Sequence, residues 1–150
     1  MEDNLEKIKK LRKKTNMSII ECKDALQESG GDLEKAFSIL KTRGFEENLK
    51  RKERETKEGI VDAYVHQNKK IGALVRVSCE SDFVAKNKEF QKLAHEIAMQ
   101  IAAMEPSSIE DLLEQMYIRD PKMKIIDLVN EAINKFGENI KIEDFQRIEI

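Results

Sequence analysis

The fold is decided by residues 71–87, which read IGALVRVSCESDFVAKN. The first half of this stretch has an apolar side chain at every second position, the pattern of a strand with one buried face. Residues 88–103 instead carry apolar side chains three and four positions apart, as in an amphipathic helix. The stretch therefore predicts a strand that turns into a helix, with Asp82 and Phe83 at the junction.

Asp82 and Phe83 can be interpreted in two ways from their residue types. Asp is a preferred N-cap and Phe is usually buried, so the pair can simply cap the following helix and fill the core. An acid beside a large apolar ring at a surface edge can instead act as a wedge that is inserted into another protein. The combination has no obvious catalytic use, so it does not indicate an active site.

Two further strands are predicted around this stretch. Residues 60–66 form a hairpin with the first strand through a turn at residues 67–70. The last segment of the chain alternates again and predicts a strand with four isoleucines on one face, which are Ile140, Ile142, Ile148 and Ile150. A three-stranded sheet of this size has free edges and an uncovered face, which favours a homodimer formed through the sheet.

The helices of this part of the chain follow from apolar spacing and turn residues. They are predicted at residues 88–104, 109–116 and 123–136, with Ser107 or Ser108 as the cap of the second and Gly137 at the end of the third. Residues 59–150 therefore form an α+β core domain, with a small three-stranded antiparallel sheet packed by helices on one side.

Residues 1–44 are predicted to form three short helices. Ser18 and Glu21 match a capping box, in which each side chain bonds to the backbone of the other, at the start of the second helix. Asp32 is a suitable N-cap for the third helix, and Gly44 is predicted to end it. Apolar residues recur at helical spacing through all three helices, among them Leu5, Ile8, Leu11, Ile19, Cys22, Leu26, Leu33, Ala36 and Leu40.

Two segments without a helical apolar pattern separate the predicted elements of the first half of the chain. The first helix is predicted to end at Thr15 and Asn16, because Asn tolerates the left-handed conformation that often follows a helix. Residues 45–58 are mostly charged, with both signs and few apolar side chains, which predicts an exposed linker between the two domains.

The charge balance narrows the classes of function. The chain has 27 basic and 29 acidic residues and a net charge of −2, whereas a general nucleic-acid binder needs an excess of basic residues. It has no Trp and few aromatic residues on which bases could stack. No apolar run is long enough to span a bilayer, and the acidic start of the chain does not resemble a signal peptide. We therefore expect a cytoplasmic protein that binds neither nucleic acid directly nor a membrane.

The two cysteines indicate neither a metal site nor a disulfide framework. Cys22 and Cys79 form no CxxC pair, and His66 and His95 are not at zinc-ligand spacing from them. Cys79 shares the apolar face of its strand with two valines, which favours core packing, while a small thiol enzyme that uses Cys79 is kept as an alternative. There is no Gly-rich phosphate loop, and we expect no cofactor.

Three motifs resemble the signatures of the elongation factor Ts family, the guanine-nucleotide exchange factors for elongation factor Tu. The first runs through residues 11–15 (LRKKT), 21–26 (ECKDAL) and 31–36 (GDLEKA). The second is residues 81–87 (SDFVAKN), where the family commonly begins with Thr, and the third is residues 136–140 (FGENI). Because all three occur in the right order and span nearly the whole chain, the resemblance is specific.

The resemblance implies how the chain would act. An N-terminal ubiquitin-associated-like domain would dock on the G domain of elongation factor Tu, in its GDP-bound and nucleotide-free forms, and Asp82 and Phe83 would enter near the Mg²⁺ and phosphate region. Asp82 would act there by hydrogen bonding or by repelling groups near the Mg²⁺. The factor itself would carry out no covalent chemistry. The partner-binding residues that the motifs imply are Ser81, Asp82, Phe83, Val84, Leu11, Arg12, Thr15, Met17, Cys22 and Lys23.

The chain also departs from the family pattern. Asn16 and Ser18 replace small residues that are often Gly after Thr15. Longer members carry two core subdomains, whereas this chain resembles the short form, which dimerises through the small sheet. A function of a different class is also compatible with the residues: a helical adaptor that binds ubiquitin-like or nascent-chain partners through residues 1–44 without exchange activity.

Overall fold

The computed structural model describes residues 3–15 and 17–150, so the prediction for Asn16 lies outside the described residues. The chain divides into two compact units, Met1–Glu53 and Arg54–Ile150. Each unit has a hydrophobic core of its own. Within the described part of the chain, no helix combines the length and the apolar character needed to cross a bilayer.

The N-terminal unit contains three helices, α1 (Asn4–Thr15), α2 (Ile19–Glu28) and α3 (Leu33–Arg51). The predicted capping box is present, since Glu21 N donates to Ser18 Oγ at 3.2 Å and Ser18 N donates to Glu21 Oε2 at 2.9 Å. Asp32 Oδ1 accepts hydrogen bonds from two backbone amides in the first turn of α3. The core of this unit is formed by Leu11, Met17, Cys22, Ala25, Leu26, Ala36 and Leu40.

The prediction that Gly44 ends the third helix is wrong, because α3 continues to Arg51. Gly in a helix interior costs about 1 kcal/mol relative to Ala, which does not by itself end a helix. The residues that follow are mostly Glu, Asn, Lys and Arg, most of which support a helix on a solvated surface. Of the predicted linker, only residues 52–57 lie outside helices and strands.

The second unit is α+β. Its elements in chain order are β1 (Glu58–Val65), β2 (Ile71–Cys79), α4 (Asp82–Ala85), α5 (Lys88–Met104), α6 (Ile109–Glu114), β3 (Met116–Tyr117), β4 (Asp120–Lys124), α7 (Ile125–Phe136) and β5 (Ile140–Glu149). The main sheet is the predicted three-stranded antiparallel sheet, and its strand order is β1-β2-β5.

The core of the second unit lies between one face of this sheet and α5. The inward residues of β2 are the predicted ones, and Val75, Val77 and Cys79 are fully buried. Helix α5 covers them with the buried side chains of Phe90 and Ile97, among others. The opposite face of the sheet has no helix of this unit packed on it, and its apolar side chains Val61, Val65, Leu74 and Ile148 are exposed.

The prediction that four isoleucines share one face of the last strand is wrong. Val77 pairs with Ile142 but Arg76 pairs with Asp144, so Glu143 is an extra residue in β5. A one-residue bulge exchanges the two faces of a strand. Ile140 and Ile142 are therefore buried, whereas Ile148 is 70% exposed and Ile150 is 94% exposed.

A second small hairpin, β3-β4, was not predicted from the sequence. It takes up residues that were assigned to the ends of two helices, so α6 ends at Glu114 and α7 begins at Ile125. Pro121 lies in β4. A proline would not be accepted in the interior of a helix. Two boundaries follow the prediction: Ser108 Oγ accepts from Asp111 N at 3.0 Å at the start of α6, and Gly137 ends α7 in the left-handed conformation, with φ of 69°.

Candidate partner-binding site

Phe83 lies on α4, a single helical turn between β2 and α5. Ser81 is the N-cap of this turn, and its Oγ accepts a hydrogen bond from Val84 N at 3.3 Å. Val84 and Ala85 are buried and anchor the turn in the core. The turn thus presents the remaining two residues, Asp82 and Phe83, to solvent, and the side chain of Phe83 is 90% exposed.

The capping and core interpretation of the pair therefore does not hold. The cap is Ser81 and not Asp82, and the ring of Phe83 is outside the core. Burying a Phe side chain is worth about 1.5–3 kcal/mol, so a fully exposed ring forgoes stabilisation that the fold could have used. Of the four residues that the second motif predicted to bind a partner, only Asp82 and Phe83 are exposed, since Ser81 is half-buried and Val84 is buried.

Asp82 forms an ion pair within the turn. Its Oδ2 lies 2.9 Å from Nζ of Lys86, four residues later. The hydrogen bond and the charge of Asp82 raise the pKa of Lys86 above its ordinary value. Both side chains are exposed, so the pair is screened by water and weakly held. The carboxylate is therefore available to a donor group of a partner.

The segment before α4 is held by the segment after α7. Glu138 Oε1 accepts hydrogen bonds from the backbone N–H groups of Glu80 at 3.1 Å and Ser81 at 2.9 Å. In return, Glu80 Oε2 accepts from Asn139 N at 2.7 Å. The side chain of Asn139, which is buried, donates to the carbonyl oxygen of Arg54 at 2.8 Å. These residues bring the second and third sequence motifs into direct contact.

Cys79 does not have the surroundings of a nucleophile. Its thiol is buried and lies 3.3 Å from the carbonyl oxygen of Ser81, to which it donates. Burial, together with the negative charge of Glu138, raises the pKa of Cys79 to about 11. The thiol is therefore protonated near neutral pH, which argues against the thiol-enzyme alternative. Among the described residues, no group of His, Cys, Asp or Glu could hold a metal ion.

The structure divides the residues that the first motif predicted to bind a partner. Leu11, Met17 and Cys22 are core residues of the N-terminal unit, so their side chains are not available at its surface. Thr15 is half-buried, and its Oγ1 donates to the carbonyl oxygen of Leu11 at 2.7 Å, which closes the end of α1. Arg12 and Lys23 are exposed. Leu11, Met17 and Cys22 are therefore not candidates for direct contact with a partner. A motif of consecutive residues on a helix necessarily includes residues of the face that points into the core.

Two isoleucines at the start of α2 are exposed, although the sequence predicted one of them in the core and did not single out the other. Ile19, predicted as part of the apolar stripe of α2, is exposed, and Ile20 is 72% exposed. Lys23 follows them at helical spacing on the same side of α2. The buried side of α2 is instead formed by Cys22, Ala25 and Leu26, so Ile19 and Ile20 lie on the solvent side of its first turn.

Comparison with known proteins identifies the relatives of this chain. A family model described as "Elongation factor TS" matches residues 80–150. A protein of Thermotoga petrophila named "Elongation factor Ts" is 40% identical, over 100% of this chain and 97% of the relative. The chain belongs to the elongation factor Ts family. Relatives with that name from Thermotoga maritima and Thermodesulfovibrio yellowstonii are 39% identical (100% of this chain, 97% of the relative) and 38% identical (95% and 94%), respectively.

Membership of the elongation factor Ts family assigns the chain a role in the elongation stage of protein biosynthesis. The alignment to the Thermotoga petrophila factor extends over 193 positions although this chain has 150 residues, all of which are covered. That relative therefore contains internal residues without a counterpart here. This elongation factor Ts chain lacks those internal residues but contains the three-stranded sheet and the junction that bears Phe83.

Proposed function

We propose that this elongation factor promotes the exchange of GDP for GTP on elongation factor Tu. The N-terminal unit, which we propose is ubiquitin-associated-like, docks on the G domain of that partner, and Asp82 and Phe83 enter near its Mg²⁺ and phosphate site. The observation that carries the proposal is the exposed ring of Phe83 on a turn whose other apolar residues are anchored in the core. A cytoplasmic location is part of the same proposal.

The ring supplies only part of the required free energy. A tenfold faster release of GDP needs about 1.4 kcal/mol, so a ten-thousandfold acceleration needs roughly 5.5 kcal/mol. Burial of the Phe83 side chain contributes about 1.5–3 kcal/mol. Binding energy from a separate docking surface therefore has to be converted into distortion of the nucleotide site.

The exposed residues of α2 are suited to that docking. Ile19 and Ile20 form an apolar pair at the start of the helix, and burial of each adds about 1.5–3 kcal/mol. Lys23 on the same side and Arg12 on α1 would supply charge at the rim. Coupling between two ligands of one protein is reciprocal. Nucleotide bound to elongation factor Tu therefore weakens its affinity for this chain to the same extent that this chain weakens its affinity for nucleotide. The chain is then released and can act in another cycle.

We also propose that the factor is a homodimer through the main sheet. On its open face Val65 pairs with Gly72, which pairs in turn with Ile148, so these residues form one row across the three strands. Leu74 lies in the next row. An uncovered apolar sheet face is a liability in water, and a second copy of the same face would bury it.

The test is the release of GDP from purified elongation factor Tu, measured with and without this chain. We expect the chain to accelerate release in a saturable way. If release is unaffected while the chain still binds a partner through its first 53 residues, the adaptor function replaces exchange.

A further inference from the structure

The contact between the second and third motifs has a geometry suited to holding α4 in place. We propose that Glu138 and Asn139 are positioning residues for Phe83, which fix the backbone from which the ring projects. This inference rests on the proposed exchange function and adds to it the residues that make the wedge stiff. The third motif, which helped to identify the family, thereby acquires a physical role.

Glu138 acts on the backbone that leads into α4. One oxygen, Oε1, accepts from the successive N–H groups of Glu80 and Ser81, at 3.1 Å and 2.9 Å. Two consecutive amides directed at the same oxygen fix the orientation of the peptide between them. Because Ser81 is also the N-cap of α4, that orientation sets the start of the turn that bears Phe83. Hydrogen bonds to an ionised acceptor are stronger than neutral ones, so the hold is firm.

Asn139 and Glu80 complete the contact in the opposite direction. Glu80 Oε2 accepts the backbone N–H of Asn139 at 2.7 Å, so each of the two segments grips the backbone of the other. The Asn139 side chain, only 1% exposed, donates to the carbonyl oxygen of Arg54, which ties the contact to the start of the second unit. The pairs of contacting residues are separated by 57 to 59 positions in the chain, so no local preference produces this arrangement.

This arrangement is not what core stability alone favours. Two carboxylates are placed at one junction, where Arg54 Nη1 lies 3.7 Å from Glu80 Oε2 and offsets only part of their like charge, and a buried amide occupies a position that an apolar residue could fill. The benefit is geometric. Val84 and Ala85 hold α4 from the core side while Glu138 holds the two residues that precede it, which leaves Asp82 and Phe83 as the projecting part. If Phe83 were on a mobile loop, the ring would spend much of its time away from the nucleotide site, and the binding energy of docking would not be converted into distortion of that site.

The test compares three single variants of the full chain. Glu138→Ala removes both acceptor contacts, Glu138→Gln keeps an oxygen at the same position, and Val129→Ala truncates a buried side chain of α7 as a control for lost stability. We expect Glu138→Ala to lower the maximal rate of GDP release about tenfold, equivalent to about 1.4 kcal/mol. The concentration that gives half-maximal release should change less than about twofold. Glu138→Gln should retain most of the maximal rate of the unmodified chain, and Val129→Ala should have the same maximal rate as the unmodified chain.

Two further measurements separate positioning from general destabilisation. In Phe83→Ala/Glu138→Ala the maximal rate should equal that of Phe83→Ala alone, because Glu138 acts through the ring. Amide hydrogen exchange should lose protection at Glu80 and Ser81 in Glu138→Ala but not in Val129→Ala. Additive effects in the double variant, or a rate in Val129→Ala as low as in Glu138→Ala, would overturn the inference.

Failure of the inference and failure of the proposed function give different results. If Phe83→Ala slows GDP release and Glu138→Ala does not, the positioning role is wrong and the exchange function stands. If Phe83→Ala leaves release unchanged, the wedge itself is wrong, and the positioning role falls with it.

Discussion

Replacement of Phe83 by Ala tests the wedge most directly. The ring is 90% exposed, so its removal takes away almost no packing in the free protein. We expect the free energy of unfolding to change by no more than about 0.5 kcal/mol. In the proposed complex the same ring would bury its apolar surface, a contribution of about 1.5–3 kcal/mol. The maximal rate of GDP release should therefore fall about 10- to 150-fold.

The assay is stopped-flow release of a fluorescent GDP analogue from elongation factor Tu, with the factor increased until the rate saturates. Thermal unfolding of each variant is followed in parallel. The matched control is Met116→Ala, which truncates another exposed apolar side chain of the same unit that belongs to none of the proposed surfaces. A maximal rate for Phe83→Ala within about twofold of the unmodified chain would refute the wedge. A large loss of stability in that variant would instead refute the exposed position of the ring.

Three other predictions concern the docking surface, the sheet and the buried thiol. Ile20→Asp should weaken binding to elongation factor Tu in calorimetry by about tenfold or more without changing thermal unfolding, whereas unchanged affinity would exclude α2 as the docking surface. Leu74→Glu should convert a dimer into a monomer in light scattering at tens of micromolar, an ordinary concentration for such association, and a monomeric unmodified chain would refute the homodimer. Because the pKa of Cys79 is raised from 9.0 to about 11, the folded state holds the thiol proton more tightly, so stability present below pH 9 should be lost as the pH rises toward 11. Cys79→Ala should remove that part of the pH dependence in chemical denaturation, and an identical slope in both proteins would contradict it.

Features that depend on neighbours in the sequence were predictable. The alternation of β2 indicated its buried face, because side chains in a strand alternate whatever the partner strands are. Ser18 and Glu21 form the expected capping box, and Gly137 ends α7 in the expected conformation, because both depend on a few consecutive residues. The motif that bears Phe83 was also recognisable in the sequence, although residue types alone favoured a buried ring.

The tertiary structure decided the rest. The bulge at Glu143 exchanges the faces of β5, and its position depends on pairing with a strand far away in the chain, so alternation among the isoleucines could not reveal it. Burial removed Leu11, Met17 and Cys22 from the proposed docking surface, since helix packing selects which residues of a motif face outward. The sequence by itself indicated most of the elements, the family, and Asp82 and Phe83 as candidate partner-binding residues. Only the tertiary structure determined that the ring is exposed and that Glu138 accepts hydrogen bonds from the backbone before α4, because both depend on contacts between segments that are far apart in the chain.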